Sequence, residues 1–271
     1  MKRVVHFSGI FLCFLILDSM LFSMSAFAAE RVIDTSTAAD GYFTVDYTAG
    51  KTVKMKVGVT YGNSSVYYDY VPGSASVYTF TEGDGVYTIT LFQNVSGTSY
   101  RKISSSRADV KMVDAFAPYL VSTTEITFSQ EDAVGQKAAE LCQGKTDDAA
   151  KVVAIHNYIA AYFTYDNEFA ARVLSGEIKN YTPDTNQILA AQKGLCYDFS
   201  VLFAAMCRSQ GIPCAVAKGC LSGVSHAWNM VYINGEWNAI DMTRAIAYKA
   251  FSASTLSDCV TALDAYSGMS Y

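Results

Sequence analysis

Lys193-Gly194-Leu195-Cys196-Tyr197-Asp198-Phe199-Ser200 is the stretch on which the fold of this chain is decided. Apolar residues continue at Leu202, Phe203 and Met206, a helical spacing. The spacing predicts a helix that opens near Cys196 and closes at Gly211, a residue suited to a helix C-terminus. A thiol in a first turn meets backbone N–H groups that have no intrahelical partner, and the helix dipole adds partial positive charge. Both favour the thiolate, the nucleophilic form of cysteine. The same N–H groups can hold the oxyanion of a tetrahedral intermediate. Phe199 lies three residues on, so the thiol sits at the end of the buried stripe.

Farther along stand His226, in Ser225-His226-Ala227-Trp228, and Asp241, in Asn238-Ala239-Ile240-Asp241-Met242-Thr243. Asn234-Gly235 between two strand-like runs is a strong hairpin signal. With a two-residue loop, Ile233 opposes Glu236, Trp228 opposes Asp241 and His226 opposes Thr243. All four of the latter then share one face, and His226 and Asp241 become diagonal neighbours roughly 7–8 Å apart at the backbone. A carboxylate there would fix the imidazole tautomer and stabilise its protonated form. A nucleophile, a base and an orienting acid in that order point to chemistry on an acyl or amide bond. Trp228 would pack beside this site and limit water. His156 lies near the apolar edge of an earlier helix and reads as structural. Cys207, Cys214 and Cys220 likewise read as structural cysteines.

The chain has two differently patterned parts. From about Glu30 to Val113 the period is two, in Gly41–Tyr47, Thr52–Val59 and Val86–Leu91. Turn signals separate the runs at Tyr61-Gly62-Asn63, Pro72-Gly73, Glu82-Gly83-Asp84-Gly85 and Ser96-Gly97-Thr98. This predicts a β-sandwich-like domain over residues 29–115, serving as a spacer or as a module that binds wall polymer or protein through its tyrosines. From about Gln130 the pattern is helical. One helix ends near Gly144. A second, capped by Thr146 or Asp147, carries Val152, Ile155, Ile159 and Phe163. Residues 174–185 read as loop. Strands are expected at Cys214–Ala217, His226–Ile233 and Glu236–Met242. A second domain over residues 116–271 follows.

Lys2 and Arg3 precede apolar runs at Ile10–Leu17 and Met20–Phe27, and Ala26-Phe27-Ala28 fits a cleavage site. This predicts a signal peptide over residues 1–28 and a secreted or cell-surface protein with no stable membrane insertion after cleavage. An uncleaved anchor is the rival reading, opposed by Asp18, Ser19, Ser23 and Ser25 within the run. The 271-residue chain carries 20 Lys+Arg against 25 Asp+Glu with no basic cluster in its mature part, which argues against a nucleic-acid partner. Six cysteines remain without Cys13. If Cys196 is a free thiol, an odd number is left and at least one more is free. The absence of Cys-x-x-Cys and the two mature histidines argue against structural zinc, and no Asp-rich helix-loop-helix calcium loop is present. No cofactor is expected.

Gly194-Leu195-Cys196-Tyr197-Asp198-Phe199-Ser200 with Arg208-Ser209-Gln210-Gly211-Ile212-Pro213 resembles the nucleophile helix of the transglutaminase-like superfamily. His226-Ala227-Trp228-Asn229 and Gly235-Glu236-Trp237-Asn238-Ala239-Ile240-Asp241 resemble its histidine and aspartate strands. Phe163-Thr164-Tyr165-Asp166 is similar to the segment before them. The resemblance covers about residues 130–245. It implies a papain-like α+β core, a nucleophile helix packed on an antiparallel sheet, with Cys196 as nucleophile, His226 as base and acid and Asp241 as orienting group. It implies acyl transfer or hydrolysis on glutamine carboxamides or peptide amides, with protein or peptide substrates. A cysteine protease or cell-wall peptide amidase is one alternative, and a non-catalytic scaffold that kept the fold is another. Met242 and Cys214 depart from the family, which often has proline and alanine there.

Overall fold

The computed structural model of the chain describes residues 32–48, 53–179 and 181–270. The expected signal peptide and its cleavage site lie outside these residues. The strand-rich part comes first: β1 (Ile33–Asp34), β2 (Tyr42–Val45), β3 (Met55–Tyr61), β4 (Ser64–Tyr70), β5 (Ser76–Thr79), β6 (Gly85–Ser96) and β7 (Ser99–Val110). Two antiparallel sheets form, ordered β1-β2-β5 and β4-β3-β6-β7. Alternation decides which side chains meet between them. Phe43 and Val45 from one sheet share a core with Met55, Val57, Tyr87, Ile89 and Leu91 from the other.

The remainder begins with α1 (Ala133–Cys142) and α2 (Asp148–Tyr162), then β8 (Thr164–Tyr165), α3 (Asn167–Leu174), α4 (Thr185–Ala191) and β9 (Lys193–Gly194). It continues with α5 (Cys196–Ser209), β10 (Cys214–Leu221), β11 (Val224–Ile233), β12 (Glu236–Ile240), α6 (Met242–Ala247), α7 (Leu256–Cys259) and β13 (Tyr266–Ser270). Aspartates start most of these helices. Asp132, Asp147, Asp166 and Asp184 each accept a hydrogen bond from a first-turn backbone N–H.

The antiparallel sheet runs β12-β11-β10-β13, and α5 packs against β10 and β11. α5 is more enclosed than an apolar stripe alone predicts. Every residue from Asp198 to Ser209 is buried, because α1, α2, α4 and α6 cover the sides that the sheet leaves open. The result is the α+β core expected, a helix beginning at Cys196 packed on an antiparallel sheet, preceded by the strand-rich region. Val32–Tyr271 clusters as one compact unit containing three hydrophobic clusters. No helix among the described residues is long and apolar enough to cross a membrane.

The loop expected over residues 174–185 falls between α3 and α4, two helices that were not expected and that Asp166 and Asp184 cap. One strand differs from the sequence reading. The strand predicted at Glu236–Met242 stops at Ile240, because the Asp241 side chain caps a new helix instead of continuing the ladder.

Candidate active site

Cys196 is the first residue of α5, and local packing fixes it there. Gly194 lies so close to Asp198 that a Cβ at position 194 would stand 2.7 Å from the aspartate Cβ. Room for Asp198 lets its Oδ2 accept the Leu195 backbone N–H at 2.7 Å, while Oδ1 accepts the Tyr181 hydroxyl at 2.6 Å. A carboxylate three residues into the helix thereby ties down the residue just before it. β8 and β9 pair in parallel, Thr164 with Lys193 and Tyr165 with Gly194, anchoring the approach to the thiol. Cys196 is half-buried, whereas Cys207 and Cys214 are fully buried.

His226 is set by the hairpin. Asn234 and Gly235 both have positive φ, 56° and 89°, and Ile233 pairs with Glu236 as the two-residue loop requires. That register carries through to Asn229 opposite Ile240. On the other side, His226 pairs with Gly219 of β10. Asn229 then ties the strand to α5, its Nδ2 donating to the Ser200 carbonyl at 2.9 Å.

Asp241 reaches His226 by a different route from the expected one. It leaves the ladder after Ile240, so no Trp228–Asp241 strand pair forms. Its side chain points both ways at once. Oδ1 accepts the backbone N–H groups of Thr243 and Arg244 at 2.9 and 3.2 Å, capping α6. Oδ2 accepts from His226 Nε2 at 2.8 Å. Met242, where the resemblance favours proline, is the first residue of this capped helix, a position whose N–H needs no intrahelical acceptor.

The three predicted residues are brought together. His226 is hydrogen-bonded to Asp241, and Cys196 lies near enough to act on it electrostatically. Nε2 faces the carboxylate, which leaves Nδ1 for the thiol. The His226 side chain is 9% exposed and that of Asp241 is fully enclosed. Burial alone would lower the histidine pKa. The hydrogen bond to Asp241, with a smaller contribution from the nearby Cys196, outweighs it and the pKa is pushed up to about 9. Burial would raise Asp241, but the bonds from His226 and Tyr266 hold it below the usual carboxylate range. Trp228 is buried and lies nearly parallel to the imidazole, 6.3 Å between ring centres. His156 is not part of this group; it is buried on α2 beside Asn157.

Tyr266 is the residue that sequence reasoning missed. Its hydroxyl donates to Asp241 Oδ2 at 2.6 Å, the same oxygen that holds His226, and its ring packs edge-on against Trp228. Forty residues separate it from His226, and Tyr266-Ser267-Gly268 carries only a weak strand signal. Asp198 had a legible signal, an acid at the third position of a helix. A polar group beside the thiol was also missed. Tyr197 donates to Glu125, and Lys218 pairs with Glu125 and lies over the Tyr197 ring, 4.5 Å from its centre. Among the described residues no group of three or more His, Cys, Asp or Glu side chains is placed to hold a metal ion.

Residues 135–242 match the family model described as transglutaminase-like superfamily. The chain is 28% identical over 134 residues to the kyphoscoliosis peptidase of Mus musculus, covering 45% of this chain and 19% of that protein. It is 28% identical over 125 residues to the kyphoscoliosis peptidase of Homo sapiens, covering 42% of this chain and 18% of that protein. The match thus spans under a fifth of the length of these curated relatives. A crystal structure of a TGase shares 28% identity over 44% of this chain and 34% of that chain, with a TM-score of 0.35. The matched segment holds Cys196, His226 and Asp241, and over residues 135–242 the chain is similar to the transglutaminase-like superfamily.

Proposed function

We propose that the protein is a cysteine-dependent acyl transferase or hydrolase acting on glutamine carboxamides or peptide amides. The observation that carries this reading is His226, hydrogen-bonded to Asp241 and within electrostatic reach of the thiol at the start of α5. Cys196 Sγ attacks the carbonyl carbon while His226 holds the thiol proton. The first-turn N–H groups of α5 face the developing oxyanion. The C–N bond breaks, the imidazolium gives its proton to the leaving amine or ammonia, and a thioester remains on Cys196. Water returns a carboxylic acid and the free thiol; a primary amine returns a new amide. Asp241 keeps the imidazole in the required tautomer throughout.

Strict hydrolysis is the second reading, favoured by the peptidase names of the two curated relatives. Export to the cell surface is part of the proposal. It rests on the basic head, the apolar run and Ala26-Phe27-Ala28, and it makes a wall-associated protein or peptide a candidate substrate. The test incubates the protein with a labelled primary amine and a glutamine-containing peptide. Transfer gives covalent label in the peptide, and hydrolysis gives ammonia or cleaved peptide without label. Neither product, or products unchanged in Cys196→Ala, contradicts the proposal.

A further inference from the structure

A cavity of about 360 Å³ lies where β4 and β5 face β10, Tyr197 and the segment around Glu125. Its charged walls pair off unevenly. Asp69 is joined to Lys56 at 2.8 Å, and Glu125 is taken by Lys218 and the Tyr197 hydroxyl. Arg208 remains. It is 6% exposed, and its partners are two backbone carbonyls, those of Cys214 and Val121, each at 2.8 Å. No carboxylate among the described residues forms an ion pair with it. A guanidinium has five N–H donors, so those two bonds leave donors over. Burial pulls its pKa down to about 10, which still leaves it a cation at neutral pH.

Tyr68 and Tyr78 are two of the tyrosines that line the same cavity. The Tyr78 hydroxyl is fully buried and has no hydrogen-bond partner. Ser76, two residues back on β5, is near it without meeting hydrogen-bond geometry. Tyr68 packs against Tyr78 with ring centres 5.3 Å apart, and its hydroxyl makes no hydrogen bond to a described residue. Burial pushes Tyr68 up to about 12 and raises Tyr78 as well, so both stay protonated and offer O–H. The cavity's two carboxylates are thus each engaged by a lysine, while its buried guanidinium, which feels Glu125 without forming an ion pair with it, and two hydroxyls keep donors to spare. Buried donors without partners need an explanation, and water supplies acceptors but no counter-charge. A carboxylate supplies both, and its two oxygens match the guanidinium fork.

We infer that this cavity binds a carboxylate of the peptide substrate, held by Arg208 and the hydroxyls of Tyr68 and Tyr78. The inference rests on the proposed activity at Cys196. Tyr197, next to the nucleophile, lines one end, and Arg208 lies twelve residues along α5 from Cys196. At 1.5 Å per residue that is about 18 Å along the axis, or about five residues of extended peptide. The site therefore reads an acidic residue about five positions from the amide under attack. It also makes β4 and β5 part of the substrate site.

The probes are thirteen-residue peptides with one central glutamine and either aspartate or asparagine five residues to one side or the other. Dissociation constants are measured on the Cys196→Ala chain, and turnover on the unaltered chain. One aspartate peptide is expected to bind at least about tenfold tighter than its asparagine twin, the scale of a charge-assisted pair. Tyr68→Phe with Tyr78→Phe keeps both rings and is expected to weaken that preference several-fold, Arg208 remaining, while Cys196 alkylation by iodoacetamide is unchanged. Equal binding of all the peptides overturns the inference, as does a preference undiminished by the double substitution. Inorganic phosphate competing as well as the aspartate peptide also overturns it, by making the cavity a general anion site. If binding shows the preference but no peptide is turned over, the proposed activity fails and the carboxylate site stands.

Discussion

Asp241 uses its two oxygens for different work, and a single-atom change separates them. Asparagine caps helices about as well as aspartate, so Asp241→Asn keeps the bonds that start α6. It removes the charge facing His226 and favours the wrong tautomer. Turnover is expected to fall by about three to four orders of magnitude with little change in unfolding midpoint; a parallel loss of stability and turnover would make Asp241 chiefly a cap. Tyr266→Phe takes a donor from Oδ2 and leaves the carboxylate charge to His226 alone. Its histidine pKa, read by NMR, is expected to rise above that of the unaltered chain. An unchanged pKa would reduce Tyr266 to packing. The linked stability has a definite sign. A histidine raised from about 6.5 in the unfolded chain to about 9 stabilises in full below pH 6.5 and ceases to do so as pH climbs through 9. Asp241, held low, stabilises above its unfolded pKa and loses that as pH falls through its folded one. The grouping of Cys196, His226 and Asp241 was legible because the chemistry expected of them needs fixed residue types in that order. Tyr266 was not, since nothing local marks a tyrosine that acts through a distant carboxylate.

Elements were legible where local chemistry alone decides them. Asn234-Gly235 set the hairpin register, and Gly211 marked the end of α5, where it has a positive φ of 74°. Asp241 broke the predicted strand because a capping side chain competes with a ladder bond, and a sequence pattern cannot show which wins. α3, α4 and β13 escaped notice for a related reason: they are short, and tertiary packing rather than periodicity holds them. Gly219 shows this for β13. It pairs with His226, and an added Cβ would stand 2.5 Å from the Ser267 carbonyl oxygen and 2.9 Å from Trp228. Gly219→Ala must push β13 away, and Tyr266 with it. A loss of about 1–3 kcal/mol is expected in denaturant unfolding, together with a shift of the pH–activity profile toward that of Tyr266→Phe. Unaltered stability would mean that β13 is not seated on Gly219.

At the scale of the whole chain, the strand-rich region and the core meet through specific contacts. Thr124 exchanges backbone and side-chain bonds with Val77, and Phe116 and Tyr119 lie against Tyr232 and Trp237. A chain beginning near Val113 retains the triad and the linker aromatics but loses Tyr68 and Tyr78. It is expected to turn over a small amide and to show a weakened aspartate preference among peptides. Loss of both, in a folded truncated protein, would mean that the strand-rich region helps build the catalytic geometry itself. What joins these scales is the claim that His226 and Asp241 activate Cys196, and alkylation tests it without knowledge of the substrate. The rate of iodoacetamide labelling is measured at each cysteine by mass spectrometry near pH 6, in the unaltered chain and in His226→Ala. Cys196 is expected to label well ahead of buried Cys207 and Cys214, and to slow by about tenfold or more when the imidazole is removed. Uniform slow labelling of all the cysteines, or a Cys196 rate indifferent to His226, would contradict the account.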